Sequence, residues 1–265
     1  LSTTPSSWFE GDSDQTGAKS KNTIKGWNYV TWETYDVFVS LFLPALFESE
    51  EIIHLLGLIH SQGYNETNIN ANYTNSYSLW VGLRSVWNYT FESFQEAPSI
   101  ANDPLLIFEN PMDFEEILFS YNNLSAELNS LPEIQFSPYS FPILEPDEFL
   151  WLFIFNGLTL STPVSSYLEE LITTLDCKNA TVSNNLLRIN RTGETDYFVE
   201  ITYGTEGTIS SFVVKDVGSN IIYKIVVTNT NWIFYTTIII LAISGGGLSA
   251  YLIIRKRKIN GRRSK

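Results

Sequence analysis

Catalysis needs side chains that move protons, attack electrophiles or hold ions, and this chain offers few of them in suggestive arrangements. Its two histidines, His54 and His60, are six residues apart. That spacing does not share a helical face, and no HExxH or Cys/His cluster accompanies them, so a zinc site is not indicated. Cys177 is the single cysteine. It forms no intramolecular disulfide, and it reads as a small packing residue after a helix rather than as a nucleophile paired with histidine. No GxSxG elbow positions a serine for a Ser-His-Asp triad. Two carboxylate groupings, Glu115-Glu116 and Glu145-Pro146-Asp147-Glu148, have the residue types of a glycosidase pair. With 29 acidic residues some pair is always near, so both read as solvated loop and helix charges. Asp12-Ser-Asp14-Gln-Thr-Gly17 resembles the start of a calcium loop but lacks the third ligand and the closing glutamate. No glycine-rich phosphate loop occurs. No metal, cofactor or catalytic residue is therefore assigned, and the chain does not read as an enzyme.

The remaining polar chemistry is modification and recognition. Asn65, Asn72, Asn88, Asn123, Asn179 and Asn190 each begin an N-x-S/T sequon and are candidate glycan acceptors. Asn65 and Asn72 are the strongest, because 61–76 reads as a polar loop. Seven Trp and fourteen Tyr invite a sugar-stacking or interface role. Without disulfides, most of these rings are expected in the core.

The elements that would carry these residues read as follows. Residues 1–25 form a Ser-, Thr- and Gly-rich flexible leader. An aromatic, β-branched strand covers 27–38, and a helix broken at Pro44 covers 41–60. Strands follow at 77–83, 86–91 and 104–109. Asn110, Pro111 and Asp113 start a helix that buries Phe114, Ile117, Leu118, Tyr121 and Leu124. The run FLWLFIFNGLTL (149–160) reads as buried strand, with Asn156-Gly157 as a turn. A further helix begins near Thr162-Pro163 or Ser166, with Val164, Leu168, Leu171, Ile172 and Leu175 as its apolar stripe. Strands at 196–203, 208–215 and 221–228, preceded by a shorter one at 186–191, make an antiparallel meander. The expectation is an α+β domain over 26–230, an antiparallel sheet with two or three packed helices.

Charge and hydropathy place that domain. Before Trp232 there are nine basic residues against 29 acidic, a net −20; after Ile254 the tail carries +7. A domain this acidic does not bind nucleic acid through phosphates. It attracts cations or basic partners. Residues 232–254 (WIFYTTIIILAISGGGLSAYLII) hold no charge, and a helix of that length spans roughly 34 Å. Trp232 and Tyr235 stand near one end and Tyr251 near the other, as aromatic belts do, and Arg255-Lys256-Arg257-Lys258 follows. The positive-inside rule then gives a single-pass type I membrane protein. Residues 231–254 cross the membrane, the acidic domain lies outside, and the basic tail 255–265 is cytoplasmic. A tail-anchored topology would leave seven positive charges on the wrong side. Gly246 and Ala250, four apart, are small residues that let two such helices approach, which would make a homodimer. The apolar stretch 37–59 carries Glu48, Glu50 and Glu51 and reads as soluble helix. Leu1 is compatible with a cleaved export signal or with a fragment.

The segment TYGTEGTISSFVVKDVGSNIIYKI, followed by an aromatic-led span and a basic tail, resembles uncharacterised single-pass surface proteins of archaea over roughly residues 180–265. The resemblance implies an envelope location and no activity or site residue. The functional expectation is a membrane-anchored cell-surface protein that presents an acidic, glycosylated domain to a protein or glycan partner outside the cell. The alternatives are a tethered receptor for sugar, peptide or cation, and a carboxylate-dependent tethered hydrolase.

Overall fold

The computed structural model describes residues 20–90, 93–96, 105–155, 157–192 and 195–227. The chain divides into a unit Leu1–Ile225 and a unit Val226–Lys265. The second lies almost entirely outside the described residues, and with it the expected membrane span, its flanks Trp232, Tyr235, Tyr251 and Arg255 to Lys258, and the Gly246/Ala250 pair. Among the described residues no helix is long and apolar enough to cross a membrane.

The first unit is α+β, with two antiparallel sheets and several helices. The first sheet joins β1 (Ser20–Glu33), β2 (Ser76–Thr90), β3 (Ser93–Glu96) and β4 (Leu105–Phe108), with β2 pairing all three others. β1 begins at Ser20, inside the stretch expected as leader, and pairs Ser20–Ile24 with Arg84–Asn88. The second sheet is a five-stranded meander: β5 (Ala180–Ser183), β6 (Leu186–Arg191), β7 (Tyr197–Tyr203), β8 (Ile209–Asp216) and β9 (Ile221–Val226). Its last four strands match the sequence reading.

Between β1 and β2 the chain is helical. α1 joins an α-helical turn (Thr34–Val37), a π-helical turn (Phe38–Phe42) and a second α-helical turn (Leu43–Leu46). The π turn ends two residues before Pro44, which has no N–H for the normal ladder, and Leu43 N–H reaches back to Phe38 O. α2 (Ser49–Ser61) follows, then α3 (Glu66–Asn72). α3 occupies the stretch read as polar loop. Asn65 caps it by accepting from Asn68 N–H, and only Ile69 is buried, so it has no periodic stripe to reveal it.

α4 (Asp113–Ser130) buries all five residues expected of it. After the short α5 (Pro132–Gln135) comes α6 (Pro146–Phe155), where a strand was expected. The correction has a plain cause. Phe149 through Ile154 are all buried, so the helix is apolar on every side and has no period to distinguish it from a buried strand. Pro146 at its start, with Asp147 and Glu148 in the first turn, was the sequence signal for a helix. Of the expected Asn156-Gly157 turn, Asn156 lies outside the described residues; Gly157, at φ +84°, follows the helix end, and Leu158 N–H returns to Phe153 O. α7 (Val164–Thr174) then leads into β5.

The core is an aromatic cluster around α6. Phe149 and Phe153 lie 4.6 Å apart, Phe153 meets Phe114 at 4.9 Å, and Phe42 stacks on Tyr121 at 3.9 Å. Residues 157–160 tie the two sheets together. Leu106 N–H donates to Gly157 O, Thr159 N–H to Leu106 O, and Leu160 N–H to Gly207 O. A Cβ on Gly207 would lie 1.8 Å from Leu160 O, and its φ is +83°, so only glycine fits that junction.

Candidate functional site

The candidate site is the face of the first sheet that turns away from the core. In β1, Val30 and Trp32 pack against the core, so the alternate residues Trp27, Tyr29 and Thr31 face outward. In β2, Tyr77, Leu79 and Val81 point inward, leaving Ser78, Trp80 and Gly82 outward. In β4, Leu106 and Phe108 are buried, leaving Leu105, Ile107 and the following Glu109.

The register sets these nine residues in a grid. Trp27, Gly82 and Leu105 form one row, and Tyr29, Trp80 and Ile107 the next. Thr31 pairs with Ser78, and Glu109 N–H donates to Ser78 O, completing a third row. Apolar rings and branched chains fill two rows; two hydroxyls and one carboxylate fill the last. Tyr29 is 51% exposed and Trp80 39%, with ring centroids 5.0 Å apart and planes tilted by 57°. The Tyr29 hydroxyl donates to Glu109 Oε2 at 3.2 Å, which joins the aromatic row to the polar one. Gly82 gives the Trp27 indole a place to lie. A Cβ there would stand 2.7–2.9 Å from three atoms of the six-membered ring, so the ring lies against the bare backbone. One face of Trp27 is covered and the residue is half-buried.

Such a surface can stack through its rings and hydrogen-bond through its hydroxyls and Glu109. The carboxylates that suggested catalysis do structural work elsewhere. Asp147 accepts the backbone N–H groups of Lys178 and Asn179 at 3.1 Å. Glu148 takes a bidentate pair from the buried Arg191, at 2.9 and 3.3 Å. Glu115 and Glu116 are exposed in the first turn of α4, where they complement the helix dipole. Burial, with Asp147 and Asp176 beside it, pushes the Cys177 thiol up to about 12, which disfavours the thiolate. The histidines have separate partners: His60 Nε2 meets the Tyr35 hydroxyl at 3.0 Å, and His54 packs on Tyr139. Among the described residues no group of three metal-ligating side chains occurs. Asp12–Gly17 lies outside them.

Two concavities stand out among the described residues. A small pocket lined by Thr34, Phe42, Tyr77, Ser120 and Tyr121 has room for about one water. A depression around Pro44, Phe47, Glu48 and Glu50 is open to solvent.

The sequons fall in different settings. Asn65 and Asn72, at the two ends of α3, are exposed. Asn190 is exposed on β6, and Asn123 is half-buried on α4. Asn179 is exposed, but its Nδ2 donates to Asp147 Oδ2 at 3.1 Å. Asn88 lies within β2, paired with both Ser20 and Gln95.

Sequence reasoning assigned most rings to the core and missed this face. WNYVTWE places aromatic side chains on both faces of one strand, so alternation alone cannot say which is outward. Comparison with protein-family models, curated proteins and solved structures yields no match.

Proposed function

We propose that the chain is a membrane-anchored cell-surface protein. In this reading its acidic domain lies outside the cell and binds a partner there through the open face of the first sheet. It is a binding protein rather than an enzyme. The observation that carries the location is the charge asymmetry: −20 before Trp232, an uncharged run of 23 residues, then Arg255-Lys256-Arg257-Lys258 at the start of a +7 tail. What supports binding over catalysis is the engagement of Asp147 and Glu148 in structural contacts, the protonated Cys177, and the uncovered rings of Tyr29 and Trp80.

The test is topology read together with glycosylation. The protein is expressed with an export signal in a glycosylating host, and intact cells are treated with protease and, separately, with a glycan-removing enzyme. Shaving of the domain from outside and a mobility shift on deglycosylation are the expected results. Asn65→Gln and Asn72→Gln should remove most of the shift, and Asn179→Gln little of it. A domain that is protected and unmodified, in cells that export a control normally, would show that it faces the cytoplasm and overturn the reading.

A further inference from the structure

We infer that the grid of Trp27, Tyr29, Trp80, Gly82, Ser78 and Glu109 is a binding platform for a neutral glycan chain. This rests on the reading of the domain as an extracellular binding module, and it adds the chemical class of the ligand.

Three features of the face converge on that class. The first is ring presentation. Trp27 lies half-buried against the backbone at Gly82, and the exposed rings of Trp80 and Tyr29 continue the aromatic surface in the next row. The C–H-rich face of a pyranose packs on such rings. The second is polarity along the grid. The rings give way to Thr31, Ser78 and Glu109, which donate to and accept from hydroxyl groups. Glu109 is exposed, and its carboxylate already accepts from Tyr29, so it is oriented toward the rings.

The third feature is charge and size. The nine residues include one carboxylate and no basic side chain, so an anionic polysaccharide has no counter-charge on the grid. The nearest basic residue along β2 is Arg84, two positions beyond Gly82 and paired with Ile24. Three strands about 4.8 Å apart and three rows about 6.8 Å apart span roughly 10 by 14 Å. A stable protein–protein interface buries about 800 Å² per partner, several times that area. The grid matches the footprint of a short oligosaccharide, and a protein would need contacts well beyond it.

The experiment uses the full chain in lipid nanodiscs and saturation-transfer NMR, with titration by tryptophan fluorescence. The probes are short neutral oligosaccharides of glucose, mannose, galactose and N-acetylglucosamine, a uronate oligomer and an oligolysine peptide. At least one neutral oligosaccharide is expected to bind. Trp80→Ala should weaken it at least about tenfold, as the loss of a central aromatic anchor does. Gly82→Ala should weaken it too, by lifting Trp27 from the sheet. Phe136→Ala, which removes a ring that is 91% exposed elsewhere, should leave binding unchanged. Thermal unfolding of each variant separates lost binding from lost fold. Three outcomes overturn the proposal: no neutral oligosaccharide binds at millimolar concentration, Trp80→Ala binds as wild type does, or the uronate or oligolysine probe binds more tightly than every neutral sugar. Failure here with the domain shaved from outside in the topology assay removes the glycan and leaves the surface location standing. A domain facing the cytoplasm removes the location independently of any sugar result.

Discussion

The two sheets face the same physical problem and solve it differently. Each packs one face on the core and turns the other away from it, as antiparallel sheets do. On β7 the second sheet covers an outward ring with its own charged side chains, while the edge strand β9 leaves Ile221 and Ile225 exposed. Phe198 is only 6% exposed, because Arg188 lies over its ring at 3.7 Å and Lys215 approaches at 5.7 Å. Lys215 is held there by Glu200 at 2.6 Å, and Arg188 pairs across the strands with Glu200. On the first sheet Tyr29 and Trp80 stay open, and no side chain of the nine-residue grid can serve as a cationic cover. Tyr29 and Trp80 lack the cationic cover that Phe198 has, and open rings of this kind give a partner somewhere to bind.

That contrast makes stability and binding separable, and variants can break it. The largest loss of stability is expected from Phe198→Ala. Removing a buried ring from the covered face should cost about 3 kcal/mol, read by urea unfolding, with no effect on oligosaccharide binding. Next is Glu148→Ala, which removes the bidentate carboxylate partner of the Arg191 guanidinium. Pairs of this kind lose about 3–5 kcal/mol when fully buried; Glu148 is 39% exposed, so about 2 kcal/mol is expected. Gly82→Ala forces the Trp27 ring off the first sheet and should cost about 1 kcal/mol while markedly weakening binding. Trp80→Ala should cost less than about 1 kcal/mol and cause the greatest loss of binding. If Trp80→Ala destabilised the fold as much as Phe198→Ala, the two faces would be equivalent and the comparison would collapse.

A pH response is expected at the junction leading to the second sheet. Cys177 titrates at about 12 in the folded chain, and an unfolded thiol near about 8.5. Between these values the folded state holds a proton that the unfolded state has lost, so stability falls as pH rises through that window and is unaffected below it. At pH 8 a thiolate-selective reagent should label Cys177 at least about a hundredfold faster in urea than in the folded protein. Equal rates would show that the thiol is not held in its protonated form.

How much of this was legible from the residues differs element by element. The meander was legible because its strands are short, β-rich and separated by Gly204–Gly207 and Asp216–Asn220, turns that local chemistry specifies. α4 was legible because its buried residues repeat with helical period; it begins at Asp113, with Met112 at its cap, two residues after the Pro111 expected in its first position. α6 was not, because a helix buried on all sides carries no period, and α3 was not, because a single buried residue makes none. β2 runs unbroken from Ser76 to Thr90, where two strands were expected; its partners β1, β3 and β4 sustain it past Gly82-Leu83-Arg84.

The sequence by itself determined the charge asymmetry, the uncharged run before the basic tail, the sequons and the α+β class. These depend on composition and local order, which need no distant partner. Only the tertiary structure decided which rings lie open. Trp27, Trp32, Tyr77 and Trp80 look alike along the chain, and what separates them is the face of each strand that the helices cover. That choice is made by β1, β2 and β4 coming into register, residues up to 80 positions apart, as the Tyr29–Glu109 hydrogen bond records. Gly82 acquires its role only when Trp27 is laid across it, and no local pattern in either strand encodes that contact.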